Sequence, residues 1–243
     1  MVVALKNKIK IVTLDSPHTN IVNIIDKITE SDEKNNINNK IEIKTDFSSC
    51  IKDLSEGIYD VIAMTAERLH GREIEMLQYE CHVSGAITPR RPNMVLISEN
   101  KIDYQPKSAI ILCEQKVIRR QMRRARNDLR ILSVEAYKSI QNINDIHSSE
   151  NEKFEWMENQ RKLGKIDGFI ASKEVFMKLN LNGRRHTLLP DPKEGGGNIF
   201  LPLPYSDLII LLTRKSSPKS LIKDISEKEG ETIWWVQNQI LGN

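Results

Sequence analysis

Tyr59-Asp60-Val61-Ile62-Ala63-Met64 ends in an unbroken apolar run rich in β-branched residues, the pattern of a strand covered on both faces. Upstream, Lys8–Leu14 (KIKIVTL) alternates charge with β-branched residues and then meets Asp15, Ser16 and Pro17. That stretch predicts a strand and a turn opening a helix over Ile21–Ile28. Lys40–Phe47 alternates again after an Asn- and Lys-rich loop at Ser31–Asn39, and Ser48–Glu56 reads as a helix. The order is therefore β-α-β-α-β, which implies a parallel sheet.

Further along, the strand Met94–Ser98 precedes a polar stretch, Glu99–Lys107, and a second series begins at Ala109–Cys113 (AIILC). A helix over Val117–Arg126, a strand over Leu129–Val134, a helix over Glu150–Leu163 and a strand over Ile166–Ala171 complete it. Pro190, Pro192 and Gly195–Gly197 form a long turn, Asp207–Thr213 (DLIILLT) is one more apolar strand, and Glu231–Leu241 a last helix. Two lobes follow: residues 1–98 with 205–243, and residues 103–198, with crossovers near 99–102 and 199–204. A double crossover makes a hinged cleft, and the strands' carboxyl ends, where open α/β sheets hold ligands, would face it.

Composition narrows the function. The 243 residues hold 36 Lys+Arg against 33 Asp+Glu and are 39% hydrophobic, which excludes a disordered chain and one coated in positive charge. No apolar run approaches the roughly 20 residues of a membrane helix, and Met1–Lys10 lacks the apolar segment of a secretory signal, so a cytoplasmic location is expected. Cys50, Cys81 and Cys113 are an odd number without a C-x-x-C pair and read as small buried residues. His18, His70, His82, His147 and His186 show no H-x-x-x-H spacing, so no metal site is expected. Gly195–Gly197 match no phosphate-loop pattern and no G-x-S-x-G elbow marks a hydrolase. Trp234 and Trp235 are adjacent, so only one of them can point into a core.

Charge does concentrate locally. Lys116, Arg119, Arg120, Arg123, Arg124, Arg126 and Arg130 face a single acid, Asp128, a net +6 within Lys116–Arg130. On a helical wheel Ile118, Met122, Ala125 and Leu129 gather on one side and the arginines fan over the other. Such a face is either a solvated one paired with neighbouring acids or an anion site, since Arg119 and Arg120 lie near a helix start that follows a strand. Nucleic acid is not expected there, because interleaved aromatics and a helix-turn-helix pattern are missing.

In order along the chain, several segments resemble porphobilinogen deaminase, also called hydroxymethylbilane synthase. Thr13-Leu14-Asp15-Ser16-Pro17 is similar to that family's T-R-G-S-x-L, and Tyr59 through Arg68 resembles its Y-D-x-A-V-H-S-x-K-D. Glu114 through Gln121 is similar to G-T-S-S-x-R-R-x, with the arginine pair on Arg119 and Arg120. Gly164 through Ala171 resembles G-x-x-D-A-I-I-L-A, Leu201-Pro202-Leu203-Pro204 resembles L-P-A-P, and Glu231 through Leu241 is similar to the helix introducing the family's third domain.

The resemblance implies an α/β fold of two hinged lobes of the periplasmic-binding-protein type, each with a mainly parallel sheet flanked by helices. It also implies tetrapyrrole chemistry, but the residues that would perform it differ. The family's catalytic Asp falls on Arg68 and its Lys on Glu67, Leu14 replaces an arginine, and Lys116 and Val117 replace two serines. The G-N-V-x-T-R segment has no counterpart in Val134–Asn144, and no cysteine stands where the dipyrromethane cofactor would attach. A guanidinium cannot accept the proton that a carboxylate takes.

The expectation is thus a catalytically degenerate relative without cofactor that holds a small anion, such as a pyrrole carboxylate, with Thr13, Ser16, Thr65, Lys116, Arg119 and Arg120 as candidate ligand-binding residues. Alternatively Thr13, Ser16 and Thr65 cap helices and the two arginines form surface pairs. Two other functions stay open: an active synthase component completed by another chain, or a module whose arginine helix binds an acidic protein or nucleic acid.

Overall fold

The chain forms two α/β units, residues 1–90 with 204–243 and residues 91–203. The computed structural model describes residues 9–16, 18–30, 40–88, 94–147, 149–188, 200–201, 203–206 and 208–241. The loop expected at Ser31–Asn39 and the turn expected at Pro190–Gly197 lie outside them.

In the first unit, β1 (Lys10–Leu14), α1 (Ile21–Glu30), β2 (Lys40–Lys44), α2 (Phe47–Ser55) and β3 (Val61–Thr65) follow the expected order. β1 lies between β2 and β3 and runs parallel to both, with Thr13 opposite Ile43 and Ala63. All five residues of β3 are buried, as a strand with neighbours and helices around it requires. α2 begins at Asp46, whose carboxylate accepts the Ser49 N–H at 2.7 Å, and buries Phe47, Cys50, Ile51 and Leu54 at helical spacing. A 3₁₀ turn at Ala66–Arg68, α3 (Glu73–Gln78) and β4 (Cys81–Ile87) complete this passage.

The second unit opens with β5 (Met94–Ser98) and continues through β6 (Ile110–Leu112), α4 (Lys116–Ala125), β7 (Arg130–Leu132), α5 (Val134–Gln141), α6 (Glu150–Lys162), β8 (Gly168–Ser172), α7 (Lys173–Lys178) and β9 (Arg185–Thr187). β6 runs parallel to β7 and β8, and β5 runs antiparallel to β8 and β9, in the order β7-β6-β8-β5-β9. The sequence reading placed Met94–Ser98 in the first lobe; its hydrogen bonds put it in the second sheet. Val134, expected at a strand end, instead starts α5, because the Ser133 hydroxyl accepts the Ala136 N–H and caps the helix.

The chain then returns to the first unit. β10 (Ile209–Arg214) enters between β3 and β4, antiparallel to both, giving the order β2-β1-β3-β10-β4, and α8 (Lys228–Leu241) packs beside β4. The two sheets share one plan: three parallel strands, a reversed fourth and a fifth aligned with the first three.

α8 approaches β4 closely because it carries Gly230, where a Cβ would stand 2.8 Å from the Ile87 carbonyl carbon and the Thr88 nitrogen. Trp234 packs against the first unit's core, 5.6 Å from the Tyr205 ring, while Trp235 is 63% exposed.

Candidate ligand-binding site

In the first unit the carboxyl ends of β1 and β3 lie side by side. Thr13 is only 2% exposed and its hydroxyl points across the sheet to the Glu42 carbonyl at 3.5 Å, so it belongs to the strand interior. Thr65 ends β3 at 7% exposure and begins the 3₁₀ turn without a side-chain cap bond. Ser16, half-buried, follows β1. The exposed Arg68 links these ends, its guanidinium donating to the Asp15 carbonyl. The sequence reading treated Arg68 only as a lost carboxylate. Its position makes it a cation at the strand ends with N–H groups to spare.

In the second unit three helices start at the ends of the three parallel strands. α5 is capped by Ser133 and α7 by Ser172. α4 differs: its N-cap, Gln115, makes no side-chain cap bond, so among the described residues no side chain caps its first-turn N–H groups. Lys116 and Arg120, both exposed, flank this start and make no ion pair among the described residues.

Arg119 behaves otherwise. Its Nη1 donates to the Cys113 carbonyl at 2.7 Å and the Glu114 carbonyl at 2.6 Å, fastening the loop between β6 and α4. Glu114, which sequence reasoning passed over, accepts the Val134 N–H at 2.9 Å and the Lys153 ammonium at 3.2 Å. A carboxylate at the start of α5 is favoured by that helix's dipole. The candidate residues thus divide: Lys116 and Arg120 stand open at one helix start, Arg119 and Thr13 are internal ties, and Ser16 and Thr65 lie at the other unit's strand ends.

Nothing here favours thiol chemistry. All three cysteines are buried, and burial pushes their thiols up, that of Cys113 to about 12. Among the described residues no group of three or more His, Cys, Asp or Glu could hold a metal ion, and no helix is long and apolar enough to cross a membrane.

The architecture is that of two α/β units, each built on a mixed five-stranded sheet flanked by helices. No family's sequence profile matches the chain, and no curated protein does. Among solved structures it is similar to an ABC transporter periplasmic substrate-binding protein from Coxiella burnetii, at 13% identity over 96% of this chain and 97% of that one, with a TM-score of 0.43. It is also similar to a nutrient-binding protein from Burkholderia cenocepacia bound to methionine, at 14% identity over 96% and 97%, with a TM-score of 0.42. A third is lipoprotein Tp32 from Treponema pallidum, at 10% identity over 94% and 90%, with a TM-score of 0.41.

Several expectations are corrected here. The resemblance to porphobilinogen deaminase is withdrawn: neither the family profiles nor the curated proteins return that family for this sequence. Apart from Leu201–Pro204, its quoted segments fall on the end of β1, β3 and its turn, α4, β8 and α8, pieces that a chain of two α/β units supplies in that order whatever its chemistry. Tetrapyrrole synthesis is set aside with it, both in a degenerate relative and in a component completed by another chain.

The arginine helix as a docking face for an acidic protein or nucleic acid also falls. Arg119, Arg123 and Arg126 turn back onto backbone carbonyls, and Arg126 also holds Asp128 with two bonds of 2.8 Å, so the cationic face is broken. The cytoplasmic expectation is likewise withdrawn, since it rested on the absence of an apolar segment and of a membrane helix, and neither absence assigns a location. The charge of Met1–Lys10 does not decide the location.

Proposed function

We propose that this chain is a small-molecule-binding protein that takes an anionic or zwitterionic solute at the carboxyl ends of its parallel strands. The uncapped start of α4, with Lys116 and Arg120 beside it, is the observation that supports this most. Free N–H groups and the positive end of the helix dipole favour a carboxylate, and the two cations add charge that a bound anion could neutralise. Binding is favoured over turnover because the nearby Ser133 and Ser172 oxygens serve as caps and the Cys113 thiol is held neutral.

Isothermal calorimetry of the full chain tests this with methionine, which the Burkholderia protein holds, together with glutamate and succinate. At least one should release or absorb heat saturably, and Lys116→Glu combined with Arg120→Glu should weaken it about tenfold or more, the loss of one charge-assisted bond. Silence across the panel, or unchanged affinity in the double variant with its circular dichroism intact, would refute the proposal.

A further inference from the structure

A second feature lies wholly within the first unit, on β4 and β10 and away from the ends of β1 and β3. It is a cavity of about 740 Å³ with His82 and Ser84 of β4 and Thr213 of β10 in its wall. Ser217, Lys219 and Lys223, on the segment after β10, and Lys228, the first residue of α8, also line it. Gly85 permits this arrangement, since a Cβ there would collide with the side chains of Ser226 and Ile222.

The polar groups of this wall are not all paired. Ser84 and Thr213 bond to each other, and the His82 Nε2 stands 3.3 Å from the Ser84 hydroxyl. The His82 Nδ1 and the Ser217 Oγ are buried without any hydrogen-bond partner among the described residues. Buried polar atoms left so are costly unless something else satisfies them. Lys219, Lys223 and Lys228 are exposed and make no ion pair among the described residues. The lining's one acid, Glu231, already accepts the Ser226 hydroxyl. Three cations against one engaged carboxylate select an anion. Flexible ammonium groups suit the point-like charge of a phosphate, and hydroxyl and imidazole groups suit the rest of a polar molecule. The volume exceeds what a lone phosphate ion fills and is of the size that holds a small metabolite.

We propose that this cavity is a binding site for a small phosphate monoester of sugar-phosphate size. It is independent of the site at α4, and the two are separated by their variants. Glucose 6-phosphate, inorganic phosphate and glucose are titrated into the full chain by calorimetry and phosphorus NMR, with the His82 ring signals followed by nitrogen-15 NMR. Glucose 6-phosphate should bind and shift the His82 ring, and glucose should not bind.

Lys219→Glu with Lys223→Glu should raise the Kd about tenfold or more, as loss of a charge-assisted bond does. Lys52→Glu, an exposed position of the same unit, should leave it unchanged. Ser217→Ala, which keeps the lysines, should weaken binding by a smaller factor. No binding, equal affinity for inorganic phosphate, or loss in the Lys116→Glu, Arg120→Glu variant with retention in the Lys219→Glu, Lys223→Glu variant would each overturn the proposal.

Discussion

Arg119 and Arg120 are neighbours of identical chemistry given opposite roles, and alanine at each separates them. The Arg119 Nη1 holds two loop carbonyls at 2.7 and 2.6 Å, and charge-assisted bonds of this kind contribute about 1.5–3 kcal/mol each. The guanidinium is only half-buried and both bonds share one nitrogen, so water can take over part of the work and about 2 kcal/mol is the expected loss. Alanine's better helix propensity returns only about 0.2 kcal/mol. Arg120 is exposed, and its removal should change stability by less than about 0.5 kcal/mol.

Trp156 belongs to the second unit and Trp234 and Trp235 to the first, so urea unfolding read by Trp156 fluorescence in a Trp234→Phe, Trp235→Phe background reports the second unit. With a slope of about 2 kcal/mol per molar urea, Arg119→Ala should lower the midpoint by about 1 M and Arg120→Ala by almost nothing. Equal shifts, or the larger one at Arg120, would show that Arg119 does not fasten the loop.

Other perturbations have definite signs. Gly230→Ala gains about 1 kcal/mol of helix propensity but forces a methyl against the β4 backbone at a cost of about 1–3 kcal/mol, so thermal melting should fall; a rise would mean that α8 moves freely away. Burial works to raise the Glu158 carboxyl, but Arg161, bonded to both its oxygens at 2.8 Å, and Lys162 at 3.7 Å hold it below the usual carboxylate range. A lowered folded-state pKa contributes stability above the unfolded value of about 4.3 that is lost as pH falls through the folded one. The stability gap between the wild type and Glu158→Gln should therefore be flat above about pH 5 and shrink in more acidic solution; a gap that widens there contradicts the pairing. The Cys113 thiol should resist iodoacetamide at pH 8 until denaturant is added, as peptide mapping would show. Phe154→Ala should cost the second unit's core about 3–5 kcal/mol in the Trp156 assay.

What could be read in the sequence was what depends on local periodicity. The runs that became β1, β3, β6, β8 and β10 are apolar because they are buried, and burial is visible in composition. The wheel of α4 placed Ile118 and Met122 correctly inside. β4 escaped notice because His82, Ser84 and Gly85 interrupt its alternation, and β9 because three polar residues carry no pattern. Arg119 could not be separated from Arg120, since its bonds depend on how the loop before α4 turns back. The cavity on β4 and β10 joins residues from 82 to 231, a distance in sequence that no spacing rule spans.

The reversed strand in the first sheet bears on biosynthesis. β10 inserts between β3 and β4, although the whole second unit separates it from them along the chain. While a ribosome is still extending the polypeptide toward Ile209, β3 and β4 each lack a hydrogen-bonding neighbour at what will be the middle of the sheet, whereas residues 91–203 already contain every strand of theirs. Until β10 has been made, the edges of β3 and β4 are thus open to mispairing, and the first unit's sheet is completed after the second's although most of its strands are made earlier.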